Sequence, residues 1–525
     1  MNLLVDPVFR VETPDGQQSM SLPALLAALG EDRVEALSGL QRHQEDAFHI
    51  FLCYLAGAVL ARTGKERPVQ DEVFWREGIR RLTGRQDDYA WTLVLEDVTQ
   101  PAFMQAALAD KSLFANFHTK EPKARTPDEL DLLATAKNHD CKQAQSAQPA
   151  IDDWIYALIS LQTSTCYGGR GNYGIARING TSARPCVQIM DSARYGLRWQ
   201  QDVTRLLRYR PKLLDQYPYD ALGIVLTWVP PWDLKTSLAL DALDPFFIEI
   251  SRAVRLTATD SGIRVLGAAS EPRVIAKAQR DKLKGNLGDP WTPINHKSGG
   301  AVVLGKNSLT PRVLHDLLFA EIDSDSPFKP CAFMQQDTGA PTEALFHVTA
   351  LARRGGTDSS TEGFHAADIP IPGKVKLSLM RRDTEAQRLG KVSRERLNDA
   401  SVMENKVLNP ALLALLEGGP EKIDYDKREL NAWRERAIQT YAEAWAADFF
   451  PWLWRTLDEV DADAARLAWL RSLQDKAWRA FQGAIERYPA RSGRRYRARV
   501  RAEGVFRGAL YNHFPQLKEA QRVTN

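Results

Sequence analysis

The chain has 525 residues, of which 44% are hydrophobic and 26% charged, an ordinary composition for a soluble globular protein with several domains and a large core. Lys and Arg number 69 against 66 Asp and Glu, a net charge of +3. That near balance argues against a free-standing nucleic-acid coat protein but leaves room for local basic patches. The scattered cysteines Cys53, Cys141, Cys166, Cys186 and Cys331 form no C-x-x-C pair, which argues against a zinc knuckle or a redox motif and fits reduced thiols in a cytoplasmic protein.

The N-terminus, Met1-Asn2-Leu3-Leu4-Val5-Asp6, lacks a basic stretch followed by a long apolar one, so no signal peptide is expected. No membrane span is expected either. Leu3–Val5 and Val8–Val11 read as an opening β-hairpin. Ala47, Ile50, Phe51, Tyr54, Leu55 and Val59 form an apolar stripe at helical spacing. Residues 70–82 and 127–137 also read as helices. Asp152 to Gln162 is a strong helix with acidic residues at its start, where Asp caps the helix and its charge favours the dipole. Strands are expected at 175–178, 185–189, 223–229, 247–256, 262–267, 300–304, 345–351 and 369–379, with loops at 281–290 and 353–363.

Composition changes near residue 375. Residues 382–416, 425–457, 464–487 and 494–513 each carry a helical pattern. Leu467, Leu470, Leu473, Ala477, Phe481 and Ala484 share one face of the third. The fold expected is therefore α+β: a mixed α/β domain over 1–375, then an antiparallel four-helix bundle over 376–525.

Cys166-Tyr167-Gly168-Gly169-Arg170-Gly171-Asn172-Tyr173-Gly174 is the most telling segment. Glycines let backbone approach a ligand closely, arginine suits phosphate or base edges, and tyrosine supplies a flat face. The loop follows a helix C-terminus and no Walker lysine follows it, which disfavours a nucleotide-phosphate cradle. A plain helix-to-strand turn remains the alternative on composition. Lys282 and Lys284 lie in the basic loop, and Arg491, Arg494, Arg495, Arg497, Arg499, Arg501 and Arg507 crowd the last helix. Some of those arginines fall on different faces and serve salt bridges; others suit phosphate contact. Enzyme signatures are absent from the sequence: no H-E-x-x-H and no G-x-S-x-G. Asp152-Asp153 reads as helix capping, and His139 has no companion nucleophile.

The opening residues, the Pro101-Ala102-Phe103-Met104-Gln105 segment, the helix entering Tyr167–Gly171 and the four terminal helices occur in a particular order. That order resembles the CasA family, the large subunits of the type I-E CRISPR surveillance complex Cascade, over essentially the whole chain. The resemblance implies a non-catalytic antiviral subunit without cofactor or metal. Such a subunit recognises the PAM in double-stranded DNA, helps start unwinding and R-loop formation, and recruits a helicase-nuclease. Its further partners are crRNA and the backbone, small and crRNA-end subunits. The resemblance maps the PAM-reading glycine loop to Gly168, Gly169, Arg170, Gly171 and Asn172. It maps a lysine finger to Lys282, by spacing to Trp291, with Lys284 as the alternative. A strand-splitting wedge maps to Ser360, Thr361 and Glu362, without the glutamine that family members can place there. Lys137, Asn138, His139 and Lys142 map to the crRNA- and subunit-docking loop. Arg494, Arg495, Arg497 and Arg501 are candidates for holding displaced strand. Two other classes stay open: a nucleic-acid-processing enzyme using His139 or the glycine loop, and a scaffold that only bridges subunits.

Overall fold

The computed structural model describes residues 1–118, 124–130, 149–260, 262–304, 309–335, 342–353, 361–419, 431–457, 459, 461–488 and 492–518. The chain divides into two compact units: Met1–Leu309 with Pro327–Lys376, and Thr310–Ser326 with Leu377–Asn525.

The first unit is built around the helix Glu45–Thr63. Every residue from Asp46 to Leu60 is buried, so the helix is apolar on all sides and belongs inside. By length and composition it could cross a membrane, but 83% of its most apolar window is buried inside the protein. Helices Glu72–Thr83, Ile151–Ser164 and Tyr195–Gln216 pack on it. Trp75, Trp91, Trp199, Trp228, Trp232 and Trp291 are fully buried, which puts much of the tryptophan in the core. Each such burial is worth about 1.5–3 kcal/mol or more. The sheets are small. Ala344–Arg353 pairs antiparallel with Thr361–Ile371 on one side and Cys186–Met190 on the other. Ala253–Thr259 and Gly262–Ala268 form a hairpin, and Ile224–Leu226 runs parallel to Leu243–Ile248.

The second unit is helical. Thr384–Val402 continues through a π-helical turn, Met403–Leu408, into Asn409–Leu416. Asn431–Arg455, Ala462–Arg487 and Ser492–His513 follow. Pro311–Leu318, from the middle of the chain, packs on Thr384–Val402 within this unit. Leu389, Leu397, Leu412, Tyr441, Phe449, Trp469, Leu473, Phe481 and Phe506 supply its core. The mixed helix-and-sheet class with a helical C-terminal region holds.

Several local expectations fail for identifiable reasons. The opening hairpin is Phe9–Thr13 with Gly16–Met20; Leu3 and Leu4 are both buried in a turn, so they do not alternate as strand residues would. The apolar run expected as one strand over 369–379 splits. The strand ends at Ile371 and the helix Gly373–Arg381 begins, with Val375 and Leu379, four residues apart, both buried. Residues 175–178 are turns, stapled by the buried carboxylate of Glu249, which accepts from Ala176 N at 2.5 Å. Among residues 300–304, Ala301 alone makes a β-bridge, to Ile294.

Candidate functional site

The helix Ile151–Ser164 delivers the glycine loop. Its first turn is fixed by charge. Arg10 Nε lies 2.8 Å from Asp152 Oδ2, and Asp153 accepts from Ala150 N at 2.8 Å. The cap position itself is Ala150 rather than an aspartate. Its last turn is fixed by Gln162, whose buried amide donates to Met104 O and Arg252 O and accepts from Ser251 N and Arg252 N, all within 3.1 Å. A side chain that satisfies four backbone groups in a dry interior holds the chain's direction firmly. Arg252 then reaches forward to Cys166 O at 2.9 Å.

The loop closes as a tight turn. Gly168 N donates to Asn172 O at 2.8 Å and Asn172 N to Gly169 O at 2.9 Å. Two of its glycines are needed for different reasons. Gly171 has φ +77, and a Cβ there would sit 2.6 Å from Ala269 Cβ, so the protein itself requires glycine. Gly169, half-buried, has φ +104, and a Cβ added there would meet nothing within 4 Å, so the space on that side of its backbone is open. Arg170 is exposed and Asn172 half-buried. Tyr167 and Tyr173 flank the turn with ring centroids 5.7 Å apart.

Residues 277–283, expected partly as loop, form the helix Lys277–Leu283, and Lys284 ends it in the left-handed conformation at φ +49. The next residue, Gly285, lies against the backbone of Ile178. The helix and the glycine segment thus meet, about a hundred residues apart in sequence. Between them lies a cleft of about 400 Å³ lined by Tyr167, Tyr173, Gly174, Asn179, Lys277, Arg280, Asp281 and Lys284 among others. Burial lowers the Arg280 guanidinium from its usual range, and burial together with Glu271 raises the Tyr173 phenol. Lys277 stands 3.9 Å from Asp281, so the wall carries three cations against one carboxylate. Lys284 lines the cleft while Lys282, exposed on the same helix, does not. Gly168, Gly169, Arg170, Gly171 and Asn172 form the turn beside this wall without being part of it.

Lys137, Asn138, His139, Lys142 and Ser360 lie outside the described residues. Thr361 and Glu362 open the strand Thr361–Ile371, next to a register shift at Ala352/Arg353. In the second unit the arginine cluster sorts by partner. Arg495 donates to Ile485 O at 3.3 Å and Glu486 O at 3.0 Å, finishing the preceding helix. Arg499 pairs with Glu503 at 2.8 Å and Arg507 stands over the Trp478 ring. Arg497 and Arg501, with the exposed Tyr496 and Val500, line a shallow depression of about 710 Å³. Arg494 is exposed.

Two polar constellations went unseen in the sequence because their members are far apart in it. Asp46, Cys186 and His347 bring potential metal-ligand atoms within 4.8 Å of one another. Their hydrogen bonds, however, already close an ion network. His347 Nε2 lies 3.0 Å from Asp46 and its Nδ1 2.5 Å from Asp368, while Arg198 donates to Asp46 at 2.7 Å. Burial would raise the Asp46 carboxyl, yet His347 and Arg198 hold it well below the usual range. Burial would lower His347, yet Asp46 and Asp368 raise it. In the second unit, Ser393 Oγ lies 2.7 Å from His315 Nδ1, and His315 Nε2 lies 3.1 Å from Asp323. The order is that of a hydrolase triad. His315 and Ser393 have no exposed surface, so no substrate reaches the hydroxyl, and the trio is an internal brace.

No family model matches the chain, and no curated protein matches it. Solved structures do. CasA of Thermus thermophilus superposes with a TM-score of 0.62 at 15% identity, covering 98% of this chain and 99% of that one. The CRISPR-associated protein Cse1 of Acidimicrobium ferrooxidans gives 0.62 at 15% identity, with 98% of each chain covered. This chain has the CasA/Cse1 fold. A chain of a CRISPR RNA-guided surveillance complex matches with a TM-score of 0.56 at 13% identity, covering 96% of this chain and 99% of that one. The fold is therefore the one that the order of segments along the sequence resembles, and it extends over nearly the full length of both this chain and the CasA/Cse1 structures.

Proposed function

We propose that this chain is the large subunit of a type I-E Cascade complex, a cytoplasmic, non-catalytic component that recognises the PAM in target duplex DNA. On this reading it starts R-loop formation and recruits the helicase-nuclease. The observation that carries the reading is the convergence of the residues flanking the glycine turn, Tyr167, Tyr173 and Gly174, and the Lys277–Leu283 helix on one cationic cleft, in a chain with the CasA/Cse1 fold. Gly169 offers bare backbone to a groove, and Lys284, on the cleft wall, offers a charge that a groove or a phosphate attracts. Sequence reading beyond the PAM belongs to the guide, as in RNA-guided effectors generally. The 355–363 segment is the proposed wedge and 137–142 the proposed crRNA- and subunit-docking loop. The C-terminal helices form an antiparallel four-helix bundle facing the small subunits and the displaced strand, with Arg494, Arg497 and Arg501 toward DNA.

The test is duplex binding by the guide-loaded complex against a randomised PAM library, with wild type and Gly169→Asp. The expected result is selection of a short PAM that the variant loses while guide assembly survives. Binding indifferent to the flanking sequence in the wild type refutes PAM reading and leaves a bridging scaffold.

A further inference from the structure

We propose that Arg280 is a positioning residue that fastens the glycine loop to the Lys277–Leu283 helix and so sets the spacing between the two DNA-reading elements. The inference rests on the PAM-recognition reading for its functional consequence, but its structural half stands apart from it. The Arg280 guanidinium projects from the helix and donates through Nη2 to the carbonyl of Gly174, the residue where the glycine segment ends. The side chain is half-buried in the cleft wall, and no ion pair to it is found among the described residues. The charged and titratable groups around it are Glu249, Asp281 and Tyr173. Glu249 is itself committed to Ala176 N and Arg177.

Other ties hold the loop elsewhere. Its entrance is held by Arg252 at Cys166 O and its turn by Ser270 N at Gly171 O, 3.1 Å. Neither tie reaches the lysine helix. Two contacts that join loop segment and helix directly are Arg280 at Gly174 and Gly285 against Ile178. The second holds the chain just past the helix C-terminus, and the first holds the middle of the helix against the end of the glycine segment. A charged donor to a carbonyl in a half-dry cleft is a strong fastening. With it gone, Lys284 and the open Gly169 backbone keep their chemistry but lose their fixed separation, and a reader of a short sequence depends on that separation.

The experiment compares Arg280→Met, which keeps length without donor or charge, with Arg280→Lys, which keeps both. The first measurement is hydrogen–deuterium exchange of the amides of residues 168–174 in the full chain, together with thermal unfolding. The second is binding of PAM-bearing and PAM-free duplex by the guide-loaded complex across a salt series. The expected result for Arg280→Met is at least tenfold faster exchange confined to the loop, and at least tenfold weaker PAM-bearing binding. PAM-free binding and the salt slope stay unchanged, and Arg280→Lys restores most of both losses. A loop whose exchange is unchanged in Arg280→Met overturns the proposal whatever the DNA does. Equal loss on both duplexes with a salt slope smaller by about one makes Arg280 a phosphate contact and also overturns it. A global fall in unfolding temperature without local exchange reduces it to a packing residue. If the wild-type complex shows no PAM preference, the exchange result still decides the fastening, and the functional reading alone fails.

Discussion

Gly285→Ala is the sharpest single test of how the cleft is built. Gly285 has φ +76, and an added Cβ would stand 2.5, 2.6 and 2.9 Å from the C, O and Cα atoms of Ile178. Those are backbone atoms, so no rotamer change relieves them. The left-handed conformation costs an L-residue about 1–2 kcal/mol, and overpacking adds about 1–3 kcal/mol, so the total is about 2–5 kcal/mol. Gly64, which ends the core helix Glu45–Thr63 in the same unit, provides the control. It has φ +65 and nothing within 4 Å of a Cβ, so Gly64→Ala carries the conformational cost alone. Denaturant unfolding of both variants isolates the steric part by subtraction. Binding of PAM-bearing duplex by the assembled complex should fall in Gly285→Ala, as the Lys277–Leu283 helix is pushed off the 174–178 segment, and hold in Gly64→Ala. Equal stabilities, or equal binding, refute the close approach as the thing that shapes the cleft.

Lys284→Ala should weaken PAM-bearing binding by about 1–3 kcal/mol, the scale of one specific contact, while Lys282→Ala should leave it nearly unchanged; titration of both variants decides, and the reverse order shifts the finger to Lys282. Burial pushes His315 down to about 4, below its unfolded value of about 6.5. The unfolded chain therefore binds the extra proton, and stability that is complete above about pH 6.5 is lost as pH falls toward 4, by about 2–3 kcal/mol at pH 4.5. Urea unfolding at pH 7.5 and 4.5 should show that loss in wild type in excess of His315→Gln; an identical pH dependence in the two refutes it. Arg497→Ala should reduce the salt slope of duplex binding by about one with little change in unfolding temperature, whereas Arg495→Ala should lower unfolding temperature, because Arg495 finishes the helix Ala462–Arg487. Identical behaviour of the two variants refutes the sorting of the arginines.

What the sequence made legible was local and periodic. The helix from Asp152 announced itself by acidic residues followed by an unbroken apolar run, and the C-terminal helices by long stripes such as Leu470, Leu473, Ala477 and Phe481. The helix Lys277–Leu283 is not legible: none of its residues is buried, so it has no apolar stripe to read, and its last residues read as part of the basic loop 281–290. Val375 and Leu379 were misread because a run that packs on both sides looks alike in strand and helix over so short a span. The cleft was illegible for another reason. Each wall stands out in the sequence on its own, but Arg280 meeting Gly174 is a tertiary event that no spacing encodes. The Asp46–His347–Asp368 and Ser393–His315–Asp323 groups were invisible for the same cause.

The contrast between Gly169 and Gly171 bears on how the loop tolerates change over generations. Gly171 is under a constraint set by the protein's own packing, because Ala269 occupies the space a side chain would take. A side chain at Gly169 would meet nothing, so beyond the strain any L-residue carries at φ +104, only a visiting molecule restricts it. A library of all substitutions selected for folding alone should deplete position 171 and leave position 169 comparatively permissive. Selected for defence against an invading DNA, the same library should become equally intolerant at both. The difference between the two selections maps where an absent ligand presses on the chain.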